Sequence, residues 1–170
     1  MLYGNIDDFN KIAENVEDNS IVIENIVNGI IEPYTKDLDN YVEVIRNKLK
    51  DGNRLPTTQE LDSFCLNLST YIYVASSMAE KLGIRDDISK AVYKEVYNNH
   101  RNSLKHGTVV DKNTTAELNS QHEQLTSICY SRAYKLVKTK VDNAQELLGS
   151  CKKVLSHRIT EMELTRISNQ

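Results

Sequence analysis

The sequence predicts an all-α fold, in which an N-terminal helical domain is followed by one long C-terminal helix. Glycine occurs only six times and proline twice in 170 residues, too few for the many turns of a β fold. Apolar residues recur at spacings of three and four through most of the chain, which is the helical period. From Thr114 onward there is no proline and a single glycine, Gly149, so one uninterrupted helix is possible there.

The first part of the chain is predicted to hold shorter helices. The acidic residues 1–18 are expected to form a short helix or an extended arm, and Asn19 or Ser20 caps the isoleucine-rich helix that follows. Pro33 is expected to end or kink that helix, because proline has no amide hydrogen to donate. Helical spacing then resumes until the Asp-Gly-Asn sequence at 51–53 stops it.

The best-marked helix start lies just after Pro56. Thr57 and Glu60 have the spacing of a capping box, in which each side chain accepts a hydrogen bond from the other residue's main-chain amide. The apolar face from Leu61 to Leu82 is expected to form the core, and Gly83 is expected to end this helix.

The remaining helix signals set the domain organisation. The Asp-Asp pair at 86–87 is expected to open a further helix that ends near Leu104. We expect residues 1–105 to form the helical domain and residues 106–113 to be a linker. Residues 114–170, which start with the capping-box spacing of Thr114 and Glu117, are expected to form a long basic helix for assembly and binding.

Part of the C-terminal helix has the heptad pattern of a short coiled coil. Its a/d seam steps by four and three through Val137, Val141, Ala144, Leu148, Cys151 and Leu155. The seam is predicted to join subunits into a homo-oligomer. The alternative is that it packs against the chain's own helices.

The sequence gives no support for catalysis or for a bound cofactor. His100 and His106 are six residues apart, whereas a helical metal-binding pair needs a spacing of four. The motifs of phosphate-binding loops, dinucleotide-binding folds and nucleophile elbows are missing. We therefore expect no enzyme, no catalytic residues, no metal ligands and no cofactor.

Cysteine usage and hydropathy suggest where the protein acts. Cys65, Cys129 and Cys151 lack CxxC spacing and are typical of reduced thiols in a cytosol. No apolar run approaches the ~18 residues of a membrane span, and the first residues are acidic, unlike a signal peptide. We expect a cytoplasmic protein without a membrane partner, in the host cytoplasm if it is phage-encoded.

The net charge of −3 conceals an uneven distribution. Residues 1–84 carry 7 Lys and Arg against 14 Asp and Glu, whereas residues 85–170 carry 14 against 10. This asymmetry suggests an anionic partner for the C-terminal half. Alternatively, the acidic and basic halves neutralise each other within or between subunits.

Basic residues and tyrosines recur along the last helix. The candidate nucleic-acid-binding set is Tyr130, Arg132, Tyr134, Lys135, Lys138, Lys140, Lys152, Lys153 and Arg158. At ~100° per residue, Lys140 and Arg158 flank one edge of the seam and Lys152 flanks the other, while the remaining cations project away from it. Such positive charge can follow a phosphate backbone, and tyrosines can stack on unpaired bases. The alternative is a solvated face that pairs with the acidic half.

A family resemblance covers about a fifth of the chain. The segment 130–166, YSRAYKLVKTKVDNAQELLGSCKKVLSHRITEMELTR, resembles the central helical region of UvsY-type proteins. Those are tailed-phage recombination mediators that bind single-stranded DNA and help load the recombinase. The similarity lies in the aromatic and basic opening, the spaced lysines, and the Lys-Lys-Val sequence at 152–154 with Arg158 shortly after it.

The resemblance implies that Arg158 contacts the DNA strand. The segment departs from the family at Ser156, where a second basic residue is usual, and at the Glu-Met pair 161–162, where an aromatic pair is usual.

The main hypothesis is a non-enzymatic single-stranded-DNA-binding accessory or recombination-mediator protein. It would self-associate and contact a recombinase or another phage protein. A first alternative is a structural or assembly protein of a tailed phage, a scaffold or virion component that acts through helical self-association. A second is a small inhibitor that docks through its acidic N-terminal half.

Overall fold

The computed structural model describes residues 6–50 and 56–168, which form four α-helices and no strand. The helices are α1 (Ile6–Lys50), α2 (Thr58–Ser103), α3 (Val109–Asn119) and α4 (Gln121–Ser168). The predictions of an all-α fold and of a long C-terminal helix are therefore confirmed. The acidic N-terminal segment belongs to α1 from Ile6 onward.

Helix α1 does not end at Pro33, although a kink was the other expectation there, and the end of α2 predicted at Gly83 is wrong. Pro33 lies inside α1, and Gly83 lies inside α2, as do the two aspartates that were expected to open a new helix. An interior proline costs ~3 kcal/mol. Each buried Ile or Leu contributes ~1.5–3 kcal/mol. Ile31 and Leu38 are buried on either side of Pro33, so their packing offsets the local cost.

The predicted start of α2 agrees with the structure. The main-chain amide of Thr57 donates to Glu60 at 2.8 Å and the amide of Glu60 donates to the Thr57 hydroxyl at 3.2 Å, which is the expected capping box. Helix α1 is described as far as Lys50, and the predicted Asp-Gly-Asn stop signal at 51–53 lies outside the described residues.

The predicted linker at 106–113 is only partly a loop. Helix α3 already begins at Val109, and its capping box joins Thr108 and Asp111. Thr114 was expected to cap a helix but lies inside one, where its hydroxyl donates to the carbonyl of Val110. Asp111 also fits the third position of a helix, so the sequence contained two overlapping capping signals and the earlier one is used.

The chain divides into two compact units that differ from the predicted domains. Unit 1 comprises Met1–Glu32 and Gly83–Ala133, and unit 2 comprises Pro33–Leu82 and Tyr134–Gln170. Helix α4 thus contributes to both units and is not a separate domain. Pro33 and Gly83 coincide with the division between the units.

Unit 2 is a three-helix arrangement. Contacts of Lys48 with Glu60 and of Tyr41 with Ser63 show that its α1 and α2 segments run antiparallel. Contacts of α4 with α1, such as Lys140 with Asp39, advance in the same direction along both helices, because Leu147 lies beside Ile45. The α4 segment therefore runs parallel to α1 and antiparallel to α2.

Helix α2 carries a heptad seam whose character changes along its length. In unit 2 the seam is apolar and buried: Leu61, Cys65, Leu68, Ile72, Ala75, Ala79 and Leu82. In unit 1 the next two seam positions are Asp86 and Ser89, which are also buried. Among the residues of unit 1 whose burial is described, the core is partly polar, and Val27 and Ile31 are its only large buried hydrophobic residues.

Candidate nucleic-acid interface on helix α4

The a/d seam of α4 packs within one chain. Val137, Val141, Ala144 and Cys151 are all buried in a single copy, and Leu148 and Leu155 are half-buried. A second copy could not reach the four buried side chains without displacing the chain's own helices. The predicted oligomer interface is therefore corrected: the seam forms part of the core of unit 2, which was the alternative interpretation.

Lys140 belongs to the interior contacts of unit 2. Its Nζ lies 2.5 Å from Oδ2 of Asp39 and 3.5 Å from the hydroxyl of Thr35. Thr35 is buried and donates its own hydroxyl to the same carboxylate oxygen at 2.8 Å. The charge of Lys140 is thus compensated inside the chain, which removes it from the predicted DNA-binding set.

Arg158 is also engaged within unit 2. Its Nη1 donates a hydrogen bond to the main-chain carbonyl of Pro56, next to the start of α2, and its side chain is half-buried. Pro56 is buried and precedes the capping box of α2. Arg158, to which the family resemblance assigns contact with the DNA strand, therefore holds the α4 segment against the start of α2.

Four lysines of unit 2 remain exposed on α4, and we call them the lysine face: Lys135, Lys138, Lys152 and Lys153. Among residues 6–50 and 56–168, none of the four forms an ion pair. At ~100° per residue they project into about one third of the helix circumference. Asp142 and Glu146 are exposed in the same sector.

The two acidic residues of this sector were missed from the sequence. Asp142 and Glu146 interrupt the positive charge between Lys138 and Lys152, so the net charge of the face is smaller than its lysines suggest. The same angular projection that grouped the lysines would have found them. The compensation of Lys140 by Asp39 could not be read this way, because it joins residues 101 positions apart.

The tyrosines are placed less favourably for base stacking. Tyr134 is half-buried in unit 2. In unit 1, Tyr130 is half-buried and Arg132 is exposed. Tyr130 lines an open groove of about 430 Å³ between α2 and α4, together with Ile88, Val92 and His122. Both tyrosines are thus partly covered by the chain itself.

No group of three or more His, Cys, Asp or Glu side chains in the described part of the chain is arranged to hold a metal ion. All three cysteines are free and buried, and burial raises the pKa of each thiol. A buried thiol with a raised pKa is a poor nucleophile.

Comparison of the chain with protein-family models, with curated proteins and with solved structures gave no match. None of the helices described here has an apolar stretch of the length and hydropathy needed to cross a lipid bilayer.

Proposed function

We propose that this protein is a non-catalytic single-stranded-DNA-binding accessory factor, and that the lysine face of α4 binds the phosphate backbone. The observation that carries the proposal is the set of four exposed lysines on one side of a single helix in unit 2. The resemblance of residues 130–166 to recombination mediators favours the same function. It also makes a recombinase or another phage protein a reasonable further partner.

The size of the face limits how strongly one copy can bind. Lys135 and Lys153 are 18 residues apart, which corresponds to ~27 Å along a helix. Asp142 and Glu146 lie between them and repel phosphate. A single copy should therefore bind weakly, and linked copies should gain affinity through avidity without new contacts.

The binding experiment is fluorescence anisotropy with a labelled oligonucleotide at several salt concentrations. Each neutralised phosphate of a single strand contributes about −0.7 to the log–log salt slope, so four lysines set a limit of about −3 for each copy. Sequence preference should be slight, because backbone contacts do not distinguish bases.

Charge-reversal variants identify the surface. Lys135→Glu with Lys138→Glu, and Lys152→Glu with Lys153→Glu, should each abolish binding while helicity is retained, because all four side chains are exposed. Lys94→Glu, an exposed lysine on α2 in unit 1, is the matched control and should bind almost normally. Lack of binding by the wild type at tens of micromolar and low salt would contradict the proposal.

A second candidate function is that of a structural or assembly protein. It is favoured by the surface of unit 1, where Ile84 and Ile88 of α2 are 60% and 57% exposed and Val110 of α3 is 71% exposed. Where such exposed apolar groups adjoin one another, they are typical of surfaces that partners cover. Recovery of the protein from assembled particles, together with absence of oligonucleotide binding, would favour this candidate.

A further inference from the structure

The positive charge of the lysine face is divided into two pairs. Lys135 and Lys138 lie at one end and Lys152 and Lys153 at the other, and all four are exposed. Lys138 and Lys152 are 14 residues apart, so the pairs are separated by ~21 Å of helix. A polyanion that contacts both pairs must therefore cross this interval.

Two carboxylates, which we call the acidic centre, occupy the interval between the lysine pairs. Asp142 follows Lys135 by seven residues and Glu146 precedes Lys153 by seven, which is nearly two whole turns in each case. Each carboxylate therefore lies within ~20° of a lysine around the helix. Both are exposed, and in the part of the chain that the structure describes neither forms an ion pair. The face is thus positive at both ends and negative in the middle.

Helix α2 does not cancel the acidic centre. Arg158 of α4 contacts Pro56 just before α2, and the two helices run antiparallel, so the interval lies beside residues about 62–76 of α2. No Lys, Arg, Asp or Glu occurs from Ser63 to Ala79. Asp62, which is exposed at the edge of this stretch, adds a further carboxylate and no cation.

Helix α1 adds no net charge beside the same interval. Three ion pairs cancel most of its charges: Lys140 with Asp39 at 2.5 Å, Glu43 with Arg46 at 3.1 Å, and Lys48 with Glu60 of α2 at 3.2 Å. Asp37 and Lys50 are exposed near the two ends of the interval and have opposite signs. The acidic centre therefore acts on a bound polyanion without a compensating cation beside it.

A duplex and a single strand respond differently to such a charge pattern. The interval of ~21 Å corresponds to ~6 base pairs, whereas the persistence length of a duplex is ~150 base pairs, so a duplex crosses it without bending. The duplex also keeps one negative charge per ~1.7 Å of its axis there. An unpaired strand has a flexible backbone, so it can curve away from the carboxylates while it contacts both lysine pairs. Repulsion by the acidic centre should therefore weaken duplex binding more than single-strand binding.

We propose that Asp142 and Glu146 make the lysine face selective for unpaired strands over duplex DNA. The proposal rests on the proposed function of this face, and it assigns the preference for single strands to two named residues. Because the selectivity is electrostatic, it should be largest at low salt, where screening by ions is weakest.

A simpler role for Asp142 would be competition for a lysine. Lys138 and Asp142 are four residues apart on the helix, a spacing at which opposite charges attract each other. Removal of such competition would strengthen the binding of single strands and duplexes alike. Removal of a central repulsion should instead favour the duplex, so the two roles differ in the ratio of the two affinities.

The test is fluorescence anisotropy at low salt with a labelled strand of ~20 nucleotides and with the duplex of the same strand, which is ~68 Å long and exceeds the face. Asp142→Asn with Glu146→Gln should lower the dissociation constant of the duplex at least about fivefold and that of the strand less than about twofold. The matched control is Asp87→Asn with Glu95→Gln, which removes the same charge from exposed positions of α2 in unit 1. It should change both constants by the same small factor.

An added carboxylate tests the opposite direction. Gln145 is exposed within the interval and within the angular sector of the lysine face. Gln145→Glu should therefore weaken duplex binding at least about twofold more than strand binding. Circular dichroism should be unchanged in all these variants, since the substituted side chains are exposed.

The outcomes separate this proposal from the proposed function. If the wild type binds the strand but the Asp142 and Glu146 variant strengthens both probes equally, or changes neither, the selectivity proposal is overturned and the proposed function stands. A Gln145→Glu variant that weakens both probes equally would overturn the selectivity as well. A wild type that binds neither probe at tens of micromolar would overturn both proposals.

Discussion

Lys140 of α4 and Asp39 of α1 form an ion pair with a Nζ–Oδ2 distance of 2.5 Å. The pair joins the basic part of the chain to its acidic part inside unit 2. At this point a cation of the basic half and a carboxylate of the acidic half neutralise each other within one chain. A cation that is already paired is a weaker phosphate ligand than an exposed one, because binding the strand must compete with the carboxylate.

The Lys140–Asp39 pair should contribute modestly to stability. The two side chains are 30% and 43% exposed, so solvent screens the interaction. In a double-mutant cycle with Lys140→Met and Asp39→Asn, urea unfolding should give a coupling free energy of about 0.5–1 kcal/mol. Oligonucleotide affinity should hardly change in Lys140→Met. A large loss of affinity without a loss of stability would contradict this assignment.

The capping carboxylate of α2 should make stability sensitive to acid. The main-chain amide of Thr57, then the ammonium of Lys48, then the Thr57 hydroxyl hold the pKa of Glu60 at about 2, below its ordinary 4.5. A lowered native pKa gives a stabilisation that is present above pH 4.5 and is lost as the pH falls toward about 2.

In Glu60→Gln, the free energy of unfolding measured in urea should therefore fall less than in the wild type between pH 4.5 and about 2. Glu146→Gln removes the same charge from an exposed position of α4 and should leave the loss unchanged. If the free energy of unfolding had the same pH dependence in the wild type and in Glu60→Gln, the Glu60 carboxyl group would not titrate as expected.

The three thiols should be protected in the folded protein. Burial raises the pKa of Cys65, Cys129 and Cys151 above the ordinary 9.0, so little thiolate is present at pH 8. Labelling by a thiol-reactive reagent at pH 8 should be at least about tenfold slower in the native protein than in guanidinium chloride. Fast native labelling of Cys129, separated from the others by peptide mapping, would indicate that unit 1 opens readily.

Asp86, a buried polar residue at a seam position of α2, should lower the stability of unit 1. Asp86 is 4% exposed and its Oδ2 accepts from Lys90, but Oδ1 is buried without a hydrogen-bond partner. Asp86→Leu should raise stability by about 1–2 kcal/mol, since replacing a buried ionic group by an apolar one is often stabilising. Hydrogen exchange should slow in residues 83–103, and exposed Asp87→Leu is the control. Faster exchange in Asp86→Leu would contradict the prediction.

Local signals predicted part of this fold well. The capping box of Thr57 and Glu60 depends on neighbours within a few residues, and it is confirmed. Gly83 was misread as a helix end and Pro33 does not end α1, because the cost of a helix-weakening residue is local while the packing that offsets it is contributed by distant helices.

The candidate site was predicted less completely than the fold. Helical projection identified Lys135, Lys138 and Lys153 as exposed, since exposure on a helix follows from angle, but it placed Lys152 at the edge of the seam. It could not assign Lys140 to Asp39 or Arg158 to the Pro56 carbonyl, because those partners are more than a hundred residues away in sequence. Heptad spacing likewise located the α4 seam but did not specify whether its partner helices belong to the same chain.

Pro33 interrupts the main-chain hydrogen bonding of α1 once. Because proline has no amide hydrogen, the carbonyl oxygen of Gly29, one turn earlier, has no helical donor. Gly29 is exposed, with open space where a side chain would be, so water can hydrate that oxygen. In terms of helix–coil cooperativity, a helical segment extends less easily past this position. The 45-residue helix should therefore nucleate and fray as two stretches, residues 6–32 and 33–50.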